Sequence, residues 1–292
     1  VLQDLVHASR HPDSPLNDRV VELDEGFRAA APLAELAGTI RAVTRGDLSA
    51  LEATDRFIEQ LTADADLAWV NDDDPRRAFD RAAGPVLDAA IASARDATIE
   101  QAAAALGALN ANRILCGHRH GFHGASWWND RVRRAVRDAV PATRGREFPP
   151  GLPLLVTASD APTGLVNGDT GIVVRRGSGC VAVFAGPTGI EAFDTLRLPA
   201  TETAFAMTVH KSQGSEYGHV VVVLPPVGSP LLTRELLYTA VTRAKASLTV
   251  VGEAFARVTA VSEAFARVTA SLTVVGAREA ITGALAAESF RA

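Results

Sequence analysis

The sequence predicts an α/β fold: a parallel sheet with helices on both faces and a small β module set into its middle. Three observations carry that reading. Apolar strand-like runs alternate with helically spaced ones as far as Pro141. Residues 148–200 then hold only short β-rich runs, L-P-L-L-V-T, G-I-V-V and C-V-A-V-F, separated by Gly, Pro and Asn-Gly-Asp, the pattern of a small barrel or sandwich. From residue 204 the strand–helix alternation resumes. The expected organisation is one α/β domain built from residues 1–140 and 201–292, with an inserted small β-barrel at 141–200.

The elements follow in order. V-V-E-L-D at 20–24 reads as a short strand, and Phe27, Leu33, Leu36, Ile40 and Val43 keep helical spacing until Gly46 offers a C-cap. An Asp-rich loop at 71–75 precedes an alanine-rich helical stretch over 86–107. R-I-L-C-G at 113–117 is expected to be a buried strand, followed by a loop and an arginine-rich helix over 127–139. After the insertion come a strand at 204–209, a helix, a strand at 219–224, a helix at 233–244 and a strand at 247–252. The end of the chain repeats itself: S-L-T-V-V-G stands at 247–252 and 271–276, and E-A-F-A-R-V-T-A at 253–260 and 263–270. Residues 253–276 therefore read as a duplicated segment, since deleting them joins strand 247–252 to a sensible terminal helix. Two identical strands would compete for one sheet position.

Composition narrows the class. With 47% hydrophobic and 22% charged residues the chain is globular, neither collagen-like nor disordered. No run of about 18 apolar residues marks a membrane span, and the first ten residues lack a basic stretch and a cleavage site. Cys116 and Cys180 form no C-x-x-C, so a reducing cytoplasm is expected. The sole methionine is Met207, so the sequence is expected to be part of a longer chain. A net charge of -5 gives no global attraction to nucleic acid. Locally, residues 113–146 carry eight arginines against Asp130 and Asp138. That stripe fits a phosphate backbone or a solvated helix face equally well.

Chemistry concentrates in A-F-A-M-T-V-H-K-S-Q-G-S-E-Y-G-H-V-V-V-V-L-P, residues 204–225. An apolar strand ends at Thr208, Val209 and His210, where open α/β sheets bind ligands. Gly214 permits close backbone approach. Lys211, Ser212 and Gln213 offer donors to phosphate or sugar, and Glu216 can accept from ribose hydroxyls. By physics alone this is a phosphate-proximal loop.

T-V-H-K-S-Q-G-S-E at 208–216 resembles motif V of superfamily-1 DNA helicases, in the spelling of the RecD family (exodeoxyribonuclease V alpha subunits). L-L-Y-T-A-V-T-R-A-K at 236–245 resembles motif VI, in the expected order and spacing, and V-V-E-L-D-E-G-F-R at 20–28 resembles motif IV. R-I-L-C-G-H-R-H-G-F-H-G-A-S-W-W-N at 113–129 and L-V-N-G-D-T-G-I-V at 165–173 are similar to the family's segment before the barrel and to the barrel itself. The resemblance implies the second RecA-like motor lobe of an ATP-driven helicase moving 5′→3′ on single-stranded DNA. Such a lobe acts on duplex ends within a recombination helicase–nuclease, beside RecB- and RecC-like subunits. It implies ATP contacts from Gly214, Glu216, Arg243 and Arg28, with Arg243 as arginine finger and Arg28 as its partner. A guanidinium suits that task because it is always charged and pairs bidentately with phosphate. DNA contacts are implied for Thr208, Val209, His210, Lys211 and Ser212, with Asn129 and the turn residue Asn167.

Plainer alternatives stay open at this point. Arg243 could simply complement a helix dipole, Arg28 could be a surface arginine, and Trp127 and Trp128 could pack rather than stack on bases. H-x-H-x-x-H at 118–123 lacks a fourth ligand, so no metal site is expected. A related stand-alone or conjugative helicase and a non-catalytic DNA-binding module are the competing functions. No G-x-x-x-x-G-K-[ST] occurs, so ATP and Mg²⁺ are expected to be held mainly by a lobe outside this sequence. The 292-residue chain alone should therefore not hydrolyse ATP; DNA-stimulated phosphate release by the purified chain would contradict this.

Overall fold

A computed structural model describes residues 14–15, 29–72, 74–186 and 189–252. The strand expected at 20–24, Arg28 and the repeat at 253–276 lie outside these residues. The first helix, α1 (Ala31–Arg45), has Pro32 in its opening turn. It ends where Gly46, at φ 80°, donates its N–H to the Ala42 and Val43 carbonyls, the left-handed stop that glycine adopts without strain. Helix α2 (Ala50–Ala63) begins with a capping box: Ser49 Oγ accepts from Glu52 N–H, and the Glu52 carboxylate accepts from Ser49 N–H at 2.9 Å. Strand β1 (Leu67–Asn71) follows. Neither α2 nor β1 is among the elements expected above, although S-x-x-E at 49–52 is a legible helix start.

Asp74, in the Asp-rich loop, caps α3 (Pro75–Ala82) by accepting from Arg76 N–H at 2.8 Å. The alanine-rich stretch divides into α4 (Gly84–Asp96) and α5 (Ala102–Ala111). Strand β2 (Asn112–Cys116) and α6 (Ala125–Ala139) come next. Five antiparallel strands follow: β3 (Pro153–Val156), β4 (Thr170–Arg176), β5 (Gly179–Gly186), β6 (Gly189–Asp194) and β7 (Thr201–Thr203), arranged in the order β6-β5-β4-β3-β7. No pairing joins β6 to β7 among the described residues. The expected barrel is thus seen as far as a five-stranded antiparallel sheet.

The described residues end with β8 (Ala206–Thr208), β9 (Tyr217–Val223), α7 (Arg234–Val241) and β10 (Ala244–Gly252). Together with β1 and β2 they form a parallel sheet ordered β1-β10-β9-β2-β8. Successive side chains on a strand face opposite ways, and the core divides accordingly. Ile114, Cys116, Val221, Val223 and Val251 pack with α3–α6 on one face. Leu115, Val220, Val222, Leu248 and Val250 pack with α1, α2 and α7 on the other. Burial on both faces explains why these strands are near-continuous apolar runs.

Register decides the connection between β8 and β9. Cys116 lies opposite both Thr208 and Val223, so the end of β8 is level with the end of β9. Residues 209–216 must return the whole length of a strand, roughly 20 Å, whereas eight helical residues cover about 12 Å. The helix expected there is accordingly absent, and a single 3₁₀ turn over Val209–Ser212 stands in its place.

The antiparallel sheet is anchored at the break between α4 and α5. Arg175 N–H donates to the Ala97 carbonyl at 2.8 Å, and its guanidinium donates to the Ala94 carbonyl at 2.9 Å. Gly151, at φ 80°, approaches so closely that a Cβ there would stand 2.5 Å from Ala94 N.

Strand β8 is an edge, and the Asn129 side chain covers it. Asn129 Nδ2 donates to the Ala206 carbonyl and Ala206 N–H donates to Asn129 Oδ1, both at 2.8 Å. The amide thus imitates a neighbouring strand. Asn129→Ala leaves both Ala206 groups without these partners and should lower unfolding stability by about 1–3 kcal/mol, measurable by urea denaturation.

Candidate functional site

Two clusters hold the residues singled out from the sequence. The first lies at the amino ends of β9 and β10, where Tyr217 pairs with Ala244. Tyr217 N–H donates to the Arg243 carbonyl at 2.8 Å, which brings Glu216 and Arg243 side by side. The Arg243 guanidinium donates from Nε to the Thr239 carbonyl at 3.1 Å, from Nη1 to the Ser215 carbonyl at 3.1 Å and from Nη2 to Thr242 Oγ1 at 3.2 Å. A guanidinium carries five N–H donors, so one on Nη1 and one on Nη2 remain for a ligand. Gly214, at φ 87°, makes the bend that turns the Ser215 carbonyl into this arrangement. Glu216 pairs with Lys245 at 3.0 Å, and the Lys245 carbonyl accepts from Ala30 N–H at 2.9 Å. The chain just ahead of α1 is thereby tied to this edge, with Arg28 two residues earlier in the sequence.

The residues fit a triphosphate-bearing nucleotide in kind. A permanently charged arginine is braced from behind by carbonyls with two donors to spare, beside a carboxylate able to accept from hydroxyls.

The second cluster lies at the carboxyl end of β8. Thr208 is half-buried there, and His210 and Lys211 are exposed. Lys211 Nζ meets Glu202 Oε2 of β7 at 2.6 Å, and Arg119 Nη2 meets Glu202 Oε1 at 2.8 Å. One carboxylate therefore holds two cations, joining the antiparallel sheet to the loop after β8.

Three expectations need correction. Ser212 is fully buried and its hydroxyl donates to the Val209 carbonyl at 2.6 Å, so it offers no donor to phosphate. The Val209 side chain is buried in the core and is available to a ligand only through its backbone. Asn129 has both ends of its amide engaged with Ala206, so it positions β8 instead of reaching outward.

Other features resolve locally. Trp128 is fully buried, donates to the Phe122 carbonyl at 2.9 Å, and packs with Trp127, Phe79 and Phe122. The tryptophans are packing residues. His118, His120 and His123 contact Ser229, Ser126 and the Leu224 carbonyl respectively, and no metal-binding group occurs among the described residues. Asn167 sits exposed on the tip of a turn in which Gly168 has φ 103° and Asp169 accepts from Val166 N–H. Among the described residues no hydrogen bond or ion pair links it to either cluster.

Sequence reasoning missed Arg113 and Glu202. Arg113 is buried at 1% exposure, donates to the Ala204 carbonyl and to Asn110 Oδ1, and lies 4.9 Å from the Tyr217 ring centre. Burial pushes its pKa down from the usual arginine value. Its position in an apolar run, R-I-L-C, was the available signal. Nothing local marks Glu202.

Residues 203–251, which contain the loop after β8, α7 and most of β10, match the UvrD-like helicase C-terminal domain. RecBCD enzyme subunit RecD of Mycobacterium tuberculosis H37Rv is 38% identical over 256 residues, 86% of this chain and 41% of that protein. The RecD subunit of Mycolicibacterium smegmatis is 39% identical over 234 residues, 80% of this chain and 39% of its own. The ATP-dependent RecD2 DNA helicase of Deinococcus radiodurans is 35% identical over 147 residues, 48% of this chain and 20% of its own. The Bacteroides Pif1 helicase with ADP-AlF3 and ssDNA overlaps 80% of this chain and 52% of its own at TM-score 0.39 and 17% identity, too distant to bear weight. The chain spans about two fifths of the length of the mycobacterial relatives. Its residues 203–251 are thus similar to a UvrD-like helicase C-terminal domain, and 86% of its length is similar to RecD subunits of RecBCD enzymes.

Proposed function

We propose that this chain supplies the second motor lobe of an ATP-dependent DNA helicase moving 5′→3′ on single-stranded DNA, in a RecBCD-type helicase–nuclease that repairs double-strand breaks. Residues 1–140 and 201–292 form one RecA-like lobe, and 141–200 an inserted small β-barrel. Assembly of the parallel sheet from strands on both sides of the antiparallel sheet supports that division. RecB- and RecC-like subunits and duplex-end DNA are the partners, in the cytoplasm. ATP and Mg²⁺ are held mainly by a lobe outside this sequence, and ATP supplies the free energy for movement.

One observation carries the reading: Arg243 is braced by the Ser215 and Thr239 carbonyls at the sheet edge, with two donors left over. That arrangement holds a cation ready for the charge that develops on a transferring phosphoryl group. The family resemblance adds Arg28 as its partner, a residue outside the described ones. Gly214 and Glu216 orient the nucleotide, the carboxylate leaving Lys245 for a ribose hydroxyl. On the opposite edge, Thr208, His210, Lys211 and the Val209 backbone grip the DNA backbone, with Asn167 reaching it from the turn tip.

The match to RecD2 of Deinococcus radiodurans favours a second reading, a stand-alone helicase of RecD type. Co-purification with RecB- and RecC-like subunits separates the two.

In the intact protein Arg243→Ala should lower ATP turnover by about 10³–10⁵ while single-stranded DNA affinity stays unchanged. Arg243→Lys should not restore turnover, because an ammonium cannot reproduce the fork. An equal loss of DNA binding in Arg243→Ala would show that this arginine is not the finger.

A further inference from the structure

Three elements meet at one carboxylate. Glu202 stands on β7 with its backbone paired to Leu155 of β3. Lys211 comes from the 3₁₀ turn after β8, which the buried Val209 and Ser212 hold against the core. Arg119 comes from the loop ahead of α6, where its carbonyl accepts from Ser126 N–H at 3.0 Å and from the Ser126 hydroxyl. Each cation takes one oxygen of Glu202, Lys211 Nζ at 2.6 Å from Oε2 and Arg119 Nη2 at 2.8 Å from Oε1. Among the described residues Glu202 is the only acid within ion-pair distance of either. The Lys211 and Glu202 side chains are 38% and 39% exposed and that of Arg119 65%, so solvent reaches all three. An arginine and a lysine converging on one planar anion is also how a phosphate is held. Here the chain's own carboxylate fills that place.

We infer that Glu202 is a self-inhibitory latch: it occupies Lys211 and Arg119 in the free chain, competes with the phosphates of an incoming strand, and frees β7 from the loop after β8 when displaced. Pairs this exposed are weak and screened by salt, so a strand that brings several phosphates at once can displace the carboxylate. The seat of the chain does not depend on these pairs. Two residues on, the Ala204 carbonyl accepts from Arg113, and both backbone groups of Ala206 are met by Asn129; both alanines are buried. Glu202 can therefore let go while β8 stays in place, and its removal falls on ligand affinity instead of folding. The inference rests on the DNA-binding reading proposed above.

The test is fluorescence anisotropy of the full 292-residue chain with labelled oligothymidylate at several salt concentrations. Glu202→Gln, which keeps the side-chain shape and removes the charge, should tighten binding by about 2- to 10-fold at low salt, with the gain narrowing as salt rises. A residue that merely held the loop in place would give the opposite sign. Glu202→Thr, a β-branched replacement suited to a strand, is measured beside it and should show the same gain, so a folding fault in one variant does not decide the result. With Lys211→Gln already in place, Glu202→Gln should gain less, because one of the two cations it releases is gone. A gain of full size there overturns the latch in favour of long-range charge alone. Unchanged or weaker binding by variants that melt as the parent does also overturns it and leaves the Thr208 cluster standing. If neither the parent nor Glu202→Gln binds oligothymidylate, the DNA-binding reading falls and the latch with it.

Discussion

The level pairing of Thr208, Cys116 and Val223 is the constraint on which the rest of the site depends. Parallel strands need a return path, and most parallel sheets supply it with a helix. Between β8 and β9 only eight residues are available, so the return is a single 3₁₀ turn and four further residues that run from the carboxyl end of the sheet to its amino end. Val209 and Ser212 bury their side chains to hold that loop against the core. The residues between and after them are delivered to opposite ends: the exposed His210 and Lys211 near the carboxyl end of β8, and the exposed Ser215 and half-buried Glu216 at the amino end of β9. One sequence motif thereby contributes to two separate surfaces. Only eight residues separate the two clusters, so the segment links them physically.

The inserted sheet is tied to the parallel one at two points with different chemistry. At α4 the tie is backbone and close packing, through Arg175 and Gly151. At β7 it is electrostatic, through Glu202 between Arg119 and Lys211. Exposed ion pairs are worth little and weaken with salt. The second tie is therefore soft, and Lys211 can exchange a carboxylate for a phosphate at small cost. The first is rigid, so rearrangement at the loop need not disturb the seat of the insertion.

Much of this was legible in the sequence, for identifiable reasons. The buried strands at 113–117, 219–224 and 247–252 stood out because burial on both faces makes them continuous apolar runs. Gly46 announced a helix end that only a left-handed residue provides. The strand β1 did not stand out, because L-A-W-V-N is short and flanked by acids that suggest a loop. Helix α2 was missed although its capping box was present. The alanine-rich run gave no sign of its break at 97–101, because the break meets Arg175 of β4, far along the chain and invisible to local spacing. At the site, residue types were readable but their commitments were not. Ser212 and Asn129 look like donors in a string of letters, and only the fold shows their hydrogen bonds already spent on Val209 and Ala206.

Arg113 shows why such commitments matter. A buried cation without a carboxylate partner among the described residues is costly unless its donors are met. Here the Ala204 carbonyl and Asn110 take up two donors and the Tyr217 ring offers its face, while Nε is buried without a hydrogen-bond partner among the described residues. These partners come from the return of the insertion, the end of α5 and the start of β9. The charge can be satisfied only when all three have arrived in register, so it penalises any arrangement in which the insertion re-enters elsewhere. A hydrophobic side chain of like volume would relieve the desolvation but would leave the Ala204 carbonyl without that donor. Tyr217 is also the residue whose N–H meets the Arg243 carbonyl. The same buried cation that fixes the path of the insertion therefore fixes the strand end from which the half-buried Arg243 is presented.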